Sequence, residues 1–263
     1  MIEKFITDVR RLYIFLCGYE IIRKSACTRG RGDNFILAVP ICAYLLDTAQ
    51  GLVMFDTGLD SARLADDAHA RALFKNDKFP APPIVLPEHE LLTQLAAIGV
   101  APDDVSQVIL SHTHSDHVGY LRHFRRARVV IQRLEHAAAF SDEGRGRFFF
   151  PDIASPDIAW HLIDGDCEIM PGLDAILTGG HRPGHQSLVV RLPESGTKVL
   201  TADVADLREN FTSEILGSAV DDAAALASIR RLNAIVASTG AELVPLHDPD
   251  FVHNARLAPL FYA

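Results

Sequence analysis

The residue types best suited to chemistry lie in one short stretch, HTHSDH, which holds four potential metal ligands: His112, His114, Asp116 and His117. The apolar run before it predicts a β-strand, so the ligands would lie at a strand end. Because alternate side chains of an extended segment point to the same side, we expect His112, His114 and Asp116 together, with His117 beginning a helix or turn. Imidazole and carboxylate groups are preferred by borderline divalent metals such as Zn²⁺, so the pattern predicts a metal site.

Three further positions could complete a site for two metals. His185 lies in a glycine-rich turn before an apolar run, whereas Asp203 and His247 each follow one. Taken singly these are weak signals, since a lone histidine after a strand is more often a polar loop residue. Together with the first motif they indicate ligands from separate strands that meet at one point.

The composition narrows the class of protein. With 263 residues, 48% of them hydrophobic, the chain can bury a substantial core, and we expect a single domain over residues 1–263. The formal net charge of −9 argues against a nucleic-acid-binding surface. No stretch approaches the roughly 20 apolar residues that span a bilayer. The four cysteines form no CxxC pair, which predicts reduced thiols in a cytoplasmic protein.

Short apolar strands alternate with helical patterns along the chain. The predicted strands are 12–16, 41–46, 52–55, 108–111, 128–132, 158–163, 174–178, 187–192, 198–200 and 242–246. The predicted helices are 88–98, 134–140 and 221–236. This order indicates the α/β class (α+β type): an αββα sandwich of two mixed β-sheets flanked by helices, with the polar motifs along one edge.

The order of these motifs resembles that of the metallo-β-lactamase-fold hydrolase superfamily. The similarity extends from residue 39 to at least residue 247 and includes Asp56-Thr57-Gly58, an element that supports the site. Within the superfamily the chain is most similar to the N-acyl-homoserine lactonases. The segments that carry this closer similarity are 39–46, 182–188, 209–211 and 226–232.

The resemblance implies a centre of two divalent metal ions. One would be held by His112, His114 and His185, the other by Asp116, His117 and His247, with Asp203 bridging the pair. His181, four residues before His185, would then support the site rather than bind metal. Zinc is the expected metal, and the same ligands accommodate Co, Mn or Fe. A hydroxide between the metals would attack an ester or lactone carbonyl, and Asp116 would carry its proton to the departing alcohol.

The chain departs from the lactonase pattern at one position. Those lactonases usually carry a tyrosine three residues after the bridging aspartate, where this chain has Asp206. An ionised carboxylate cannot donate a hydrogen bond to a developing oxyanion and would repel it. Three explanations stay open: the metals alone suffice, Tyr44 or Tyr120 donates instead, or the substrate differs and Asp206 contacts a polar or cationic group on it. Phe149 could line an acyl-chain pocket, although buried packing is the commoner role of such a residue.

The resemblance implies a dinuclear metal-dependent hydrolase that opens N-acyl-homoserine lactones and so inactivates quorum-sensing signals. The alternatives are a hydrolase of a different lactone or ester, pyridoxolactonase-like or carboxylesterase-like, and a non-catalytic metal-binding protein. A redox diiron relative is disfavoured because His114 stands where such proteins typically carry Glu, and a β-lactamase because Asp203 stands where several of them carry Cys. The expected partner is a small-molecule lactone or ester, and related lactonases suggest a homodimer.

Overall fold

The computed structural model describes residues 6–65, 74, 77–147 and 150–263. Within them, strands β1 to β12 are Val9–Arg23, Ile36–Thr48, Gly51–Phe55, Ala81–Ile84, Val105–Ile109, Arg128–Gln132, Ala159–Ile163, Cys167–Met170, Leu173–Leu177, Gln186–Leu192, Gly196–Ala202 and Glu242–Pro245. Helices α1 to α10 are Lys24–Cys27, Ser61–Leu64, Leu91–Ala97, Ser115–Val118, Arg133–Ala139, Asp142–Arg145, Phe150–Ile153, Arg208–Ser213, Asp222–Thr239 and Pro249–Asn254. None of these helices is both long and apolar enough to cross a membrane.

The strands form two mixed sheets, and the predicted αββα sandwich is confirmed. The first sheet has the order β4-β1-β2-β3-β5-β6-β7 and the second β12-β11-β10-β9-β8. Their inner faces share one core, in which Ile14, Leu46 and Phe55 of the first sheet lie with Leu188 and Leu200 of the second, all fully buried. Burying each such side chain stabilises the fold by about 1.5–3 kcal/mol. The core therefore fixes how the loops at the sheet edges lie against each other.

Helix α9 covers the outer face of the second sheet. Its inward positions Ala225, Ile229 and Leu232 are buried, as the helical spacing predicts. The helix begins where the Asp221 side chain accepts a hydrogen bond from the Ala224 N–H, at 3.0 Å. It ends at Thr239, three residues later than predicted, because the next residue, Gly240, adopts the left-handed conformation that ends helices, with φ of 67°.

Strand β1 is longer than the sequence predicts, and this matters for the site. The pairing of β1 with β2 shifts at Gly18, whose φ is 130°, a conformation that favours glycine. The shift lets the strand continue through Glu20, which the prediction placed outside it. Strands β4 and β8 were not predicted, since both are four-residue strands at sheet edges and β4 contains two prolines.

Candidate metal centre

The HTHSDH stretch divides between a loop and a helix. Strand β5 ends at Ile109, and His112 and His114 lie in the loop that follows it. The backbone N–H of His117 then donates to the His114 carbonyl at 3.0 Å, which closes the first turn of α4. The prediction that Asp116 lies on the same extended side as the two histidines is therefore wrong. The helical turn instead directs Asp116 and His117 toward a second, neighbouring position.

Ligand-capable atoms meet in two groups, each with its atoms within 4.8 Å of one another. The first ligand group is His112, His114, His181 and Asp203, and the second ligand group is Asp116, His117, Asp203 and His247. The groups come from four loops that follow strands β5, β9, β11 and β12, together with α4. Asp203 belongs to both groups, so the structure brings together six of the seven residues predicted as metal ligands.

The two oxygens of the Asp203 carboxylate face different groups. Oδ2 lies 3.6 Å from His112 Nε2 and 3.3 Å from His181 Nε2. Oδ1 lies 3.2 Å from His117 Nε2 and 3.3 Å from His247 Nε2. A carboxylate placed in this way can hold one cation with each oxygen.

The donor set fits two divalent metal ions. Four ligands placed tetrahedrally around Zn²⁺ at about 2.0–2.2 Å lie about 3.3–3.6 Å apart, close to the separations around Asp203. In the described residues, His117 Nε2 and Asp203 Oδ1 are buried and accept or donate no hydrogen bond. Buried polar atoms normally have partners, so the absence of one at the meeting point of both groups indicates a bound cation.

His181 occupies the position that the sequence analysis gave to His185. Its Nδ1 donates to the Ser218 carbonyl at 2.9 Å, which leaves Nε2 for the site. Nε2 lies 3.1 Å from His114 Nδ1 and within the first ligand group. His181 is therefore the third histidine of that group in this structure, whereas the sequence analysis expected it to support the site.

His185 lies behind Asp203 rather than in a ligand group. Its Nδ1 is 2.8 Å from the Thr178 hydroxyl, and its Nε2 accepts a hydrogen bond from the Asp203 N–H at 3.0 Å. Burial lowers the pKa of His185 to about 3, which suits a neutral ring that accepts at Nε2. In this arrangement both ring nitrogens of His185 have hydrogen-bond partners, and the residue positions the Asp203 backbone. The assignment of His185 as a metal ligand, implied by the resemblance, stays a prediction.

Residues outside the ligand groups orient the histidines. Asp56, in the predicted supporting element, accepts hydrogen bonds from His117 Nδ1 and from the Ser111 hydroxyl, each at 2.7 Å. His247 Nδ1 donates to the Pro40 carbonyl at 2.8 Å. Such outer contacts fix which ring nitrogen faces a metal. Both histidines of the second ligand group therefore present Nε2 to the site.

Glu135 joins the two loops that carry the first ligand group, a role that the sequence analysis missed. It is fully buried, and its Oε1 accepts from the Thr113 hydroxyl at 2.7 Å and from Arg182 Nε at 3.0 Å. Its Oε2 accepts from the Gly184 N–H at 3.3 Å. Its place on α5, far in sequence from every motif, gave no signal of this role. The carboxylate holds the loop of His112 and the loop of His181 together.

The electrostatics of the groups match cation binding. Burial lowers the pKa of His112 and His114, so both are neutral imidazoles able to bind metal. Burial also opposes a charge on His247, but Asp203 outweighs it and raises the pKa of His247 to about 10. The second ligand group thus favours a positive charge beside its carboxylates, which a metal cation would supply in place of a proton.

The ligand groups open into a cavity of about 850 Å³. Its lining includes His114, Asp116, His181, Asp203 and His247 from the two groups. Beside them the cavity lining includes further polar side chains, and we call four of these, Glu20, Cys27, Lys78 and Asp206, the polar wall. A cavity of this size holds a small organic molecule next to the metal centre.

The structure places the remaining predicted residues as follows. Asp206 lines the cavity, whereas Tyr44 and Tyr120 are not among the described residues that line it. Tyr44 is buried in the core against Phe55, with ring centroids 6.0 Å apart. Neither tyrosine is therefore placed to donate the hydrogen bond that a tyrosine at position 206 would supply in the related lactonases. Phe149 lies outside the described residues.

Comparisons of sequence agree with this geometry. The profile of the Metallo-beta-lactamase superfamily matches residues 38–247. The chain is 30% identical over 251 residues to the N-acyl homoserine lactonase AiiA of Bacillus thuringiensis subsp. kurstaki, covering 95% of this chain and 98% of that protein. It is also 30% identical over 269 residues to the N-acyl homoserine lactonase AttM of Rhizobium radiobacter, covering 98% and 100%.

Solved structures of such lactonases share the fold. A mutant of Bacillus thuringiensis AiiA with N-decanoyl-L-homoserine at its active site has a TM-score of 0.88 at 29% identity, covering 98% of this chain and 100% of that chain. An N-acyl homoserine lactone hydrolase with the product N-hexanoyl-L-homoserine at its catalytic metal centre has a TM-score of 0.85 at 30% identity, with the same coverage.

Proposed function

The chain belongs to the metallo-beta-lactamase superfamily and, within it, to the N-acyl homoserine lactonases, and on that premise we propose that it opens N-acyl-homoserine lactones by metal-dependent hydrolysis. The observation that carries the proposal is the Asp203 carboxylate, whose two oxygens face two separate ligand groups next to one cavity. The product would be the ring-opened hydroxy acid, and loss of the lactone would silence a quorum-sensing signal.

We propose zinc as the metal at both positions. The first ion would be held by His112, His114 and His181 and the second by Asp116, His117 and His247, with Asp203 between them. When bound, two such ions supply Lewis acidity and lower the pKa of water into the neutral range. Histidine ligands suit this role, because neutral imidazoles leave most of the positive charge of the metal ions uncompensated.

Asp116 is the residue that we propose for proton transfer. It lines the cavity, and its Oδ2 lies 3.2 Å from His117 Nε2 and 3.7 Å from His247 Nε2. From there the carboxylate can accept the proton of the attacking water and return it to the departing alkoxide as the ring C–O bond breaks. Water and lactone together give one hydroxy acid, so no further reactant is needed.

Proton release tests the proposal directly. Zinc-loaded protein is mixed with N-hexanoyl-homoserine lactone in weak buffer with a pH indicator, with His114→Ala as the blank. We expect one proton per lactone consumed, and we expect the variant to release almost none. Two zinc ions bound without turnover of this lactone or a longer-chain homologue would refute the proposed substrate.

Hydrolysis of a different lactone or ester is the second candidate. It is favoured by Asp206, which lines the cavity where the related lactonases usually supply a tyrosine. A simple γ-lactone and an aryl ester, run beside the homoserine lactones, separate the two candidates. Turnover of these compounds alone would keep the metal chemistry and remove the signal-inactivating role.

Location and assembly stay predictions. All four cysteines are free thiols, and Cys17, Cys27 and Cys42 are buried, which supports the proposed cytoplasmic location. The homodimer expected from related lactonases is tested by sedimentation equilibrium. A mass near the 28.8 kDa of one chain at micromolar concentration would argue against it.

A further inference from the structure

The polar wall places two carboxylates in the cavity beside the ligand groups. Glu20 comes from the part of β1 beyond the Gly18 shift, and Asp206 from the loop that follows Asp203. Burial raises the pKa of the Cys27 thiol, and the negative charge of Asp206 adds to this rise. A Cβ at Gly217 would lie 2.9 Å from Asp206 Oδ2, so glycine leaves room for this carboxylate.

Glu20 brings a largely buried carboxylate to the cavity. The residue is only 8% exposed, and it lines the cavity. Within the described parts of the chain, its side chain makes no hydrogen bond and no ion pair within 4.0 Å. Burial, with Asp116 adding to it, raises the pKa of Glu20 to about 8. Burying a carboxylate without a partner is costly, so the carboxylate indicates a ligand group that donates a hydrogen bond to it.

The carboxylates of the polar wall favour a ligand group that donates a hydrogen bond over one that only accepts. Lys78 lies on the same wall, and its Nζ donates to the Ser218 hydroxyl at 2.7 Å. On the polar wall two carboxylates accompany one ammonium group, and Arg23, Arg29, Arg147 and Arg182 also line the cavity. Cations held by the neighbouring ligand groups would favour the ionised form of Glu20. A ligand carbonyl on this wall would meet acceptors, whereas a ligand hydroxyl could donate to them.

We propose that Glu20 selects lactones whose acyl chain carries a hydroxyl group, which donates a hydrogen bond to the Glu20 carboxylate, with Asp206 adding to the negative potential. The inference rests on the proposed lactone hydrolysis and names the substrate class within it. The order of preference is a 3-hydroxyacyl chain first, an unsubstituted chain second and a 3-oxoacyl chain last, because a ketone only accepts hydrogen bonds.

The test compares kcat/KM for three homoserine lactones that carry hexanoyl, 3-hydroxyhexanoyl and 3-oxohexanoyl chains. With zinc-loaded protein we expect the 3-hydroxy compound to exceed the unsubstituted one about tenfold, as for a hydrogen bond to a charged group. In Glu20→Gln the preference should fall to about twofold or less, since an amide also donates and accepts. Glu168→Gln, an exposed position on β8, is the matched control and should keep the full preference.

The outcomes separate this inference from the proposed function. No turnover of any of the three lactones would overturn the function itself. Equal turnover of all three, unchanged by Glu20→Gln, would overturn the inference and leave the function intact. If Glu20→Gln does not fold by circular dichroism, calorimetric binding of the ring-opened 3-hydroxy and unsubstituted products to the wild-type protein decides. Equal affinities would then overturn the inference.

Discussion

The two ligand groups and the polar wall line one cavity, but their buried polar groups are satisfied differently. In the ligand groups three of the five histidines have a protein partner behind the ring: Asp56 for His117, the Pro40 carbonyl for His247 and the Ser218 carbonyl for His181. On the polar wall, Glu20 has no such partner among the described residues. The ligand groups are thus held in shape before anything binds, whereas the wall keeps hydrogen-bonding capacity for a ligand.

This difference predicts two classes of variant. Changes in the ligand groups or behind them should reduce metal content or catalytic rate for every substrate alike. Changes on the polar wall should leave two metals bound and alter only the choice among substrates. A ligand-group variant that changed only the choice among substrates, or a polar-wall variant that lost metal, would contradict this difference.

Asp203→Asn should have the largest effect. The amide keeps the shape but presents one neutral oxygen and one NH₂ group, so it cannot hold a cation on each side. We expect kcat/KM to fall at least about 10³-fold, more than the loss of a single transition-state donor. Zinc content by mass spectrometry should fall below two ions for each chain. Full zinc content with wild-type activity would show that Asp203 does not bridge.

His181→Ala and His185→Ala should differ in kind. The first removes a ligand, so we expect zinc content to fall from two ions toward one and kcat/KM to fall about 10²–10³-fold. The second removes only the acceptor behind the Asp203 N–H, so zinc content should stay near two, with a loss of about 10–100-fold. The reverse pattern of zinc content would restore His185 as the ligand.

Asp56→Asn should reduce activity without emptying the site. The amide can present NH₂ where the carboxylate accepted from His117 Nδ1, which weakens control over the nitrogen that faces the second position. Partners of this kind usually contribute about 10–100-fold to metal affinity or activity. Zinc titration by calorimetry should show one of the two sites weakened. Two unchanged affinities would exclude a role for Asp56 in the second ligand group.

Glu135→Gln should have the smallest effect, and mainly on stability. The neutral amide loses the charged hydrogen bond from Arg182 and faces the Gly184 N–H with either oxygen or nitrogen. We expect the free energy of unfolding to fall by about 1–3 kcal/mol in urea titrations. Exposed Glu168→Gln should change it by less than about 0.5 kcal/mol. An equal result for the two would mean that Glu135 does not hold the ligand loops together.

Much of the architecture could be predicted from the sequence, because apolar periodicity and strand-end motifs are local signals. They located the αββα sandwich, the HTHSDH loop, Asp203 and His247. The choice between His181 and His185 was not local, since both lie in the same glycine-rich loop. The close packing of that loop against its neighbours sets where each ring lies: a Cβ at Gly180 or Gly184 would lie 2.2 Å from another backbone nitrogen.

The polar wall was beyond prediction for a similar reason. Glu20 reaches the cavity because β1 continues past the Gly18 shift, and nothing in the sequence around residue 20 indicates a site. Asp206 could be noticed only as a departure from related lactonases. Residues that meet through pairing register and loop packing leave no spacing pattern, whereas ligands grouped on one loop do.

X-ray diffraction from crystals of the zinc-loaded protein, measured on both sides of the zinc absorption edge, shows directly whether two zinc ions are bound and which residues hold them. We expect two anomalous peaks about 3.5–4 Å apart. One should lie against His112, His114 and His181, the other against Asp116, His117 and His247, with Asp203 between them. A single peak, or a peak bound by His185 with His181 turned away, would contradict it.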